Sequence, residues 1–177
     1  MKKSQLFMTA FIALIMISSV IGFLYTPEDA AVAPGTKQYS NIQFYPQNNQ
    51  WLALSNNQQF LFDYLPEELS AITIPQIYIL NNPKLYIIFN ASERNQEYLL
   101  QKLEYNLRTL GKTVVQACLT ETDCPDIPVK DCTEPGILLR ESRENRVYLY
   151  ESCIAIEGDT LYQSQAIDKL HQALLGI

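Results

Sequence analysis

The four cysteines are the residues of this chain whose type most directly suggests chemistry: Cys118, Cys124, Cys132 and Cys153. A redox dithiol usually has Cys-x-x-Cys spacing, and a structural zinc site pairs its ligands two to four residues apart. The gaps here are five, seven and twenty residues, which favours two structural disulfides over zinc binding or thiol exchange. Four cysteines allow three pairings and the spacing does not choose among them, although a Cys124–Cys132 bridge would close a tight loop and leave Cys118 for Cys153.

Ser164, Asp168 and His171 are a second group with catalytic residue types, because their spacing places all three on one helical face. A nucleophilic triad requires the imidazole to touch both the serine and the carboxylate. Seven residues of helix separate Ser164 from His171 by about 10 Å, which argues against a triad. We therefore expect His171 to lie at the border of a packed helical face, beside Asp168.

Glu157-Gly158-Asp159 offers two carboxylates that could bind a cation or act as acid and base. The same residues suit a turn at Gly158, with Asp159 or Thr160 capping the helix that follows. The capping interpretation is the stronger one, so Glu157 and Asp159 form only a possible acidic site.

Tyrosine is unusually frequent, with eleven residues in 177, and it could build an amphipathic binding face. It also favours half-buried strands for purely structural reasons. The eleven include Tyr39, Tyr45, Tyr64, Tyr78, Tyr148 and Tyr150.

Several function classes lack their signatures in this sequence. It has no glycine-rich phosphate loop, H-E-x-x-H, G-x-S-x-G or EF-hand pattern, and its single histidine excludes a multi-histidine metal site. Beyond the first 25 residues, eleven Lys and Arg accompany nineteen Asp and Glu, a formal charge of −8, which disfavours nucleic acid as a partner. We predict no catalytic residue, no metal and no cofactor.

The elements that position these residues follow from hydrophobic periodicity. Strands are expected at residues 42–45, 51–54, 60–64, 84–89 and 113–118, with Pro66 opening a helical turn between them. Three short strands follow the cysteine-rich loop, at residues 137–140, 146–150 and 153–157, and the first two should form a hairpin.

Two amphipathic helices are predicted. The first covers residues 93–110, with Ser92 as its cap and Gly111 as its stop, and the second covers residues 161–175, with Thr160 and Gln163 in capping-box positions. The fold class is therefore α+β, a mainly antiparallel sheet packed with two helices and stapled by disulfides.

Residues 6–25 form a charge-free apolar run preceded by Lys2 and Lys3. Its twenty residues match one bilayer crossing and exceed the usual apolar core of a cleaved signal peptide. We expect a single-pass signal-anchor with the N-terminus inside, a stalk at 26–38 and an extracytoplasmic domain at 39–177. The sequon Asn90-Ala91-Ser92 suits an exported surface and makes Asn90 a possible glycosylation site.

The segment ACLTETDCPDIP at 117–128, the later Cys132 and the tail from Cys153 to Ile177 carry a resemblance. They resemble a group of uncharacterised archaeal membrane-anchored proteins that share a Cys-x5-Cys-Pro-Asp-Ile-Pro segment, a Glu-Gly-Asp turn and a C-terminal helix. The resemblance implies a placement and a fold unit rather than an activity. Lys2-Lys3-Ser4-Gln5 before the apolar run is also similar to the signals of archaeal type IV pilins, although Pro27 ends the helix early for a pilin stem.

The sequence thus favours a non-catalytic interaction module that is held on the cell membrane and contacts another envelope or membrane protein. Its docking surface would be the tyrosine-rich sheet or the cysteine-rich loop. A type IV pilin-like envelope subunit, or a small metal-binding or thiol-active protein, is the alternative.

Overall fold

The computed structural model describes residues 35–93 and 96–177, in which the chain forms two sheets and two α-helices. The predicted anchor at 6–25 and most of the predicted stalk lie outside these residues. Within the described part of the chain, no helix is long and apolar enough to cross a membrane.

The first sheet is an antiparallel meander, as predicted, in which each strand pairs with the next. Asn48-Asn49 and Asn56-Asn57 form two of its tight turns, and all four residues have positive φ angles between 49° and 62°. Asparagine tolerates this conformation, and two consecutive positive φ angles match the twist of a hairpin. The strands are β1 (Lys37–Tyr39), β2 (Ile42–Gln47), β3 (Gln50–Ser55) and β4 (Gln58–Phe62).

One face of the meander is buried, because alternate side chains point to the same side of a strand. Phe44, Phe60 and Phe62 are fully or almost fully buried on this face. Leu175 and Ile177 pack against them from the far end of the chain. The meander core therefore depends on residues more than a hundred positions away in sequence.

The second sheet is largely parallel, with the strand order β6-β5-β7-β9-β8. Only β8 runs antiparallel to its neighbour. The prediction of a mainly antiparallel sheet therefore holds for the meander and not for this sheet. Its strands are β5 (Lys84–Phe89), β6 (Thr113–Cys118), β7 (Gly136–Glu141), β8 (Arg146–Tyr150) and β9 (Cys153–Gly158).

The predicted hairpin between the strands at 137–140 and 146–150 was wrong. β9 lies between β7 and β8 and pairs with both. The physical reason is burial: every residue of β9 is buried, whereas β8 leaves Leu149 and Tyr150 exposed. A strand that is apolar on both faces gains more from a central position than one with exposed polar and aromatic side chains.

Both α-helices cover the same face of the second sheet. α1 (Glu97–Thr109) starts four residues later than predicted. Ser92 does not cap it, and its hydroxyl donates to Asp123 at 3.1 Å. Gly111, with φ +78°, follows its end as expected. Its leucine stripe, which includes Leu99 and Leu103, is buried against the sheet as predicted.

α2 (Thr160–Leu174) is capped by Asp159, whose carboxylate accepts a hydrogen bond from the Tyr162 amide at 2.8 Å. Gln163 therefore does not form the predicted capping box with Thr160. It is fully buried and donates its amide to the carbonyls of Arg140 and Gly158, each at 2.9 Å. Two 3-10 helices, Pro66–Leu69 and Ile77–Asn81, link the two sheets, and Pro66 occupies the first position as predicted.

All four cysteines are in disulfides, which confirms the prediction of two structural bridges. The pairs are Cys118–Cys124 and Cys132–Cys153, so the pairing that the tight-loop argument favoured was wrong. Cys118 ends β6 and Cys153 begins β9, and the strand order places these strands three positions apart. That separation is about 14 Å, twice the Cα distance that a disulfide can span.

We expect the two bridges to differ in their contribution to stability. Replacing Cys132 and Cys153 by alanine should lower the free energy of unfolding by about 3 kcal/mol, because the bridge closes the longer loop. Replacing Cys118 and Cys124, which are six residues apart, should cost about 2 kcal/mol. Urea unfolding of the two double variants measures both values, and a larger loss for the shorter loop would contradict the loop-length argument.

Candidate functional site

Lys102, Asp63 and Asp168 form the most concentrated group of charges in the protein's interior. Lys102 lies on α1 with only 4% of its side chain exposed, and its Nζ is 2.6 Å from Asp63 Oδ2 and 2.5 Å from Asp168 Oδ1. Asp63 follows β4, and Asp168 is fully buried on α2. One ammonium thus joins the end of the meander to both helices, and we call these residues the junction triad.

Asp63 accepts further hydrogen bonds at the outer end of the junction triad. Gln50 Nε2 donates at 2.8 Å, the Tyr98 hydroxyl at 2.9 Å and the Ser164 hydroxyl at 3.0 Å. The Asp63 side chain is 21% exposed, so the network reaches the surface beside Tyr98. The donors come from β3, α1 and α2, which fixes the positions of three elements around one carboxylate.

Asp168 binds the backbone of the meander directly. Its Oδ2 accepts the amide hydrogens of Asp63 at 2.7 Å and Tyr64 at 3.1 Å. Gln172, one helical turn later, donates to the Tyr64 carbonyl at 3.0 Å. These bonds satisfy backbone groups that leave the sheet after β4, where no further strand pairs with them.

His171 is fully buried rather than at the border of the helical face, and it does not pair with Asp168 as expected. Its Nδ1 is 2.9 Å from Asn106 Nδ2, which also donates to the Leu61 carbonyl at 3.2 Å. Because the amide nitrogen donates, Nδ1 accepts and the ring proton lies on Nε2. Ser164 bonds to Asp63 instead, so no serine–histidine pair exists and a nucleophilic triad is not assembled.

Burial controls the protonation of these groups. It raises the pKa of Asp168 to about 6, although the nearby Lys102 ammonium opposes the rise. Burial would also raise the pKa of Asp63, but hydrogen bonds from Gln50 and Lys102 hold it below its usual value. Burial lowers the pKa of His171 to about 3, and the charge of Lys102 acts in the same direction, so the imidazole is neutral at pH 7.

The junction triad joins structural elements and leaves no position for a substrate. The Lys102 ammonium contacts two carboxylates, and the Asp63 carboxylate accepts from four side chains. A nucleophile or a general base needs an accessible reacting atom beside its partner. These side chains are instead engaged with one another, so the network is a structural connection.

Glu157 and Asp159, the possible acidic site, bind different partners. The Glu157 side chain is 2% exposed and accepts from Arg146 Nε at 2.7 Å, the Tyr148 hydroxyl at 2.8 Å and Arg140 at 3.1 Å. Burial would raise the pKa of Glu157, but hydrogen bonds from Tyr148 and Arg146 lower it. Asp159 caps α2. No cluster of three His, Cys, Asp or Glu suited to a metal ion occurs within residues 35–93 and 96–177.

Asn90 lies in the loop after β5 and is partly exposed. Its side-chain oxygen accepts the Ser92 amide hydrogen at 3.3 Å. Glycosylation at this sequon stays a prediction.

The tyrosines do not share one face. Tyr39 packs edge-on against Phe44 in the meander core, and Tyr148 binds the buried Glu157. Tyr78 is 56% exposed in a 3-10 helix, far along the chain from both. The frequency of tyrosine therefore reflects several separate structural roles rather than a single binding surface.

A continuous apolar row crosses the outer side of the meander. Strand register aligns Tyr45, Leu52 and Leu61 on β2, β3 and β4, and Leu54 lies in the next row with 37% of its surface exposed. None of these four side chains packs into the three buried clusters of the described residues. Tyr105 of α1, 46% exposed, extends the row beyond β4 by donating to the Gln59 carbonyl at 3.4 Å. We call these five side chains the meander face.

The four strand residues of the meander face belong to a segment that lacks charge. From Gln38 to Phe62 the sequence contains no Asp, Glu, Lys or Arg. The meander face is bordered instead by the exposed amides of Gln43, Gln47 and Gln59. A run of 25 uncharged residues is unexpected in a chain with 18% charged residues, and it marks this surface off from the acidic remainder.

Sequence reasoning missed both the junction triad and the meander face. Lys102 and Asn106 lie three and seven residues after Leu99, on the apolar stripe of α1, and polar residues in such a stripe indicate a buried network. The absence of charge between Lys37 and Asp63 was equally visible. Asp63 itself carries no local signal, because its partners come from distant parts of the chain.

No protein-family model matches the chain, and neither does any curated protein or solved structure.

Removing the ammonium of the junction triad should destabilise the protein strongly. Lys102→Met leaves the buried Asp168 and the half-buried Asp63 carboxylates facing each other, so we expect a loss of about 3 kcal/mol in the free energy of unfolding at pH 7. Lys169→Met is the matched control, because Lys169 lies on α2 and forms no ion pair within the described residues. Urea unfolding compares the two, and equal losses would show that Lys102 has no special role.

The raised pKa of Asp168 makes the stability of the fold depend on pH in a predictable direction. Its ordinary value is 3.8 and its folded value is about 6, so its contribution to stability is fully present below pH 4 and is lost as the pH rises to 6. In Asp168→Asn this loss should vanish, so the stability of the wild type relative to the variant should fall between pH 4 and pH 6. Unfolding curves at several pH values test this, and His171 contributes equally to both proteins. Parallel stability profiles would refute the assignment.

Proposed function

We propose that the chain is a non-catalytic interaction module, held on a membrane by residues 6–25 with its domain on the extracytoplasmic side. The domain binds another envelope or membrane protein through the meander face. The observation that carries it is the row of Tyr45, Leu52 and Leu61 on a segment without charge. Aromatic enrichment and depletion of charge are the marks of an interface core.

The chemistry of the meander face indicates what kind of partner it fits. Its apolar groups gain free energy on leaving water and its amide groups need only a hydrogen-bonding partner, whereas burying an unpaired charge is costly. The rest of the domain is acidic and repels acidic surfaces. The expected partner therefore presents an apolar and amide surface of its own, with no cluster of charges at its centre.

The tether length supports a partner in the same envelope. Nine residues lie between Tyr25, the end of the predicted anchor, and Gly35, the first described residue. The distance from Tyr25 to Gly35 is therefore at most about 35 Å. A domain on such a tether meets proteins that reside in or next to the membrane.

The state of the cysteines argues against a thiol-active protein, because both pairs are oxidised and no cysteine is free. Cys118, Cys132 and Cys153 are also buried. A catalytic thiol needs exposure and a lowered pKa. The bridges instead fix the cysteine-rich segment at 119–135 onto the second sheet.

A single charge on the meander face should abolish partner binding. The full-length chain, carrying a photo-crosslinking residue at Gln59, is expected to form one specific adduct in carbonate-washed native membranes. Leu52→Glu should reduce that adduct about tenfold or more, because the carboxylate would be buried without a partner. Leu52 is only partly buried, so the melting temperature should change little.

Val129→Glu is the matched control, since Val129 is an apolar side chain of the cysteine-rich segment with 43% exposure. The adduct should survive this change. If Val129→Glu removes the adduct and Leu52→Glu does not, the cysteine-rich segment is the docking surface and the meander face is not. Absence of the chain from washed membranes would refute the anchored placement.

A further inference from the structure

Strand β8 forms an open edge of the second sheet. It pairs with β9 over five consecutive residues without a bulge, and within the described residues no strand lies on its other side. Alternate residues of an edge strand direct their N–H and C=O groups away from the sheet. β8 contains no proline or lysine, the residues that usually protect such an edge.

The other sheet edges in the described part of the chain are short or covered. β1 has three residues and includes Lys37. β4 is covered by α1, since Tyr105 and Asn106 donate to its carbonyls. At the end of β6, Cys118 exchanges backbone hydrogen bonds with Pro128 and Lys130 of the cysteine-rich segment. Along the outer edge of β8, no other described segment forms a backbone hydrogen bond.

One face of β8 is held rigid by the buried Glu157. Arg146 and Tyr148 both donate to this carboxylate, and the Arg146 guanidinium lies 4.9 Å from the Tyr148 ring centre. The Tyr150 ring meets Tyr148 edge-on, with centroids 6.4 Å apart. The only charged side chain of the strand is thus already oriented, so little side-chain entropy remains to be lost on pairing.

We propose that the chain forms a two-fold homodimer in which β8 of two copies pair antiparallel and join their five-stranded sheets into one. A two-fold axis through Tyr148 places Arg146 opposite Tyr150 and Val147 opposite Leu149, each pair occurring twice. The exposed Leu149 and Tyr150 are then both covered. The guanidinium meets an aromatic ring, and the two aliphatic side chains meet each other.

The charges around β8 are compatible with this register. Glu144 would lie opposite Ser152 of the second copy, and Asn145 opposite Glu151, so no like charges face each other. A shift of the axis to Leu149 would place Val147 opposite Glu151, which buries an aliphatic side chain against a carboxylate. Of these two registers, the side chains favour the axis through Tyr148.

Sedimentation of the purified full chain in density-matched detergent tests the dimer, with an expected mass of twice 20.3 kDa. Tyr150→Arg would place a guanidinium opposite Arg146 at both ends of the pairing and should weaken the dimer by about tenfold or more in Kd. Tyr150→Glu would instead place a carboxylate opposite Arg146 and should leave the dimer intact or strengthen it. Tyr150 is 43% exposed, so both variants keep the fold, which the melting temperature verifies.

Leu161→Arg is the control, because it adds a cation at a 61% exposed position of α2. It should not change the Kd. A monomeric wild type, or equal effects of Tyr150→Arg and Tyr150→Glu, would overturn the proposal. A dimer that withstands Tyr150→Arg would show that association occurs elsewhere in the chain.

Discussion

The contact of Lys102 with Asp63 and Asp168 is the constraint on which the arrangement of the described domain depends. It joins the end of the meander to both helices, and these helices in turn cover the second sheet. A buried ion pair gains little over an apolar contact of the same shape, because both charges must leave water. What the ion pair contributes is geometric specificity. Two carboxylates and one ammonium fit together in one arrangement, whereas leucine side chains would pack in several.

The directional contact explains how two sheets of different character coexist in one domain. The meander is local in sequence and antiparallel, while the second sheet is largely parallel and needs long connections. Neither sheet contributes a strand to the other. Beyond the chain segment that links them, the meander is held to α2 by hydrogen bonds from the Asp63 and Tyr64 amides to Asp168 and by the packing of Leu175 and Ile177, rather than by a shared ladder of strands.

Local signals in the sequence predicted local features. The period-two alternation in the meander, the leucine stripe of α1 and the capping role of Asp159 are all formed by residues close to one another in the chain. The order of strands in the second sheet was not predictable in this way, because the central position of β9 follows from burial on both faces. The disulfide pairing failed for the same reason: it depends on strand order, which the spacing of cysteines does not encode.

The junction triad and the meander face both left signals in the sequence, and sequence reasoning overlooked them. Lys102 interrupts an apolar stripe, and residues 38–62 lack charge. Both signals are departures from the usual distribution of charged residues, and neither matches a known motif. Reasoning from catalytic residue types led instead to Ser164 and His171, whose partners turned out to be Asp63 and Asn106. The side chains of catalytic residue type, Ser164 and His171, form hydrogen bonds that stabilise the fold.

The bond from the Asp63 amide to Asp168 spans 105 positions of the chain, and this has a consequence for biosynthesis. The meander is the first sheet to leave the ribosome or an export channel, but its end and its core are closed by α2 and by Leu175 and Ile177. Until those residues arrive, the aromatic side of the first sheet lacks the cover that Leu175 and Ile177 give it in the folded domain. Such a nascent chain would depend on a chaperone or on rapid export, and its first strands would be protected from proteases only after synthesis of the last helix.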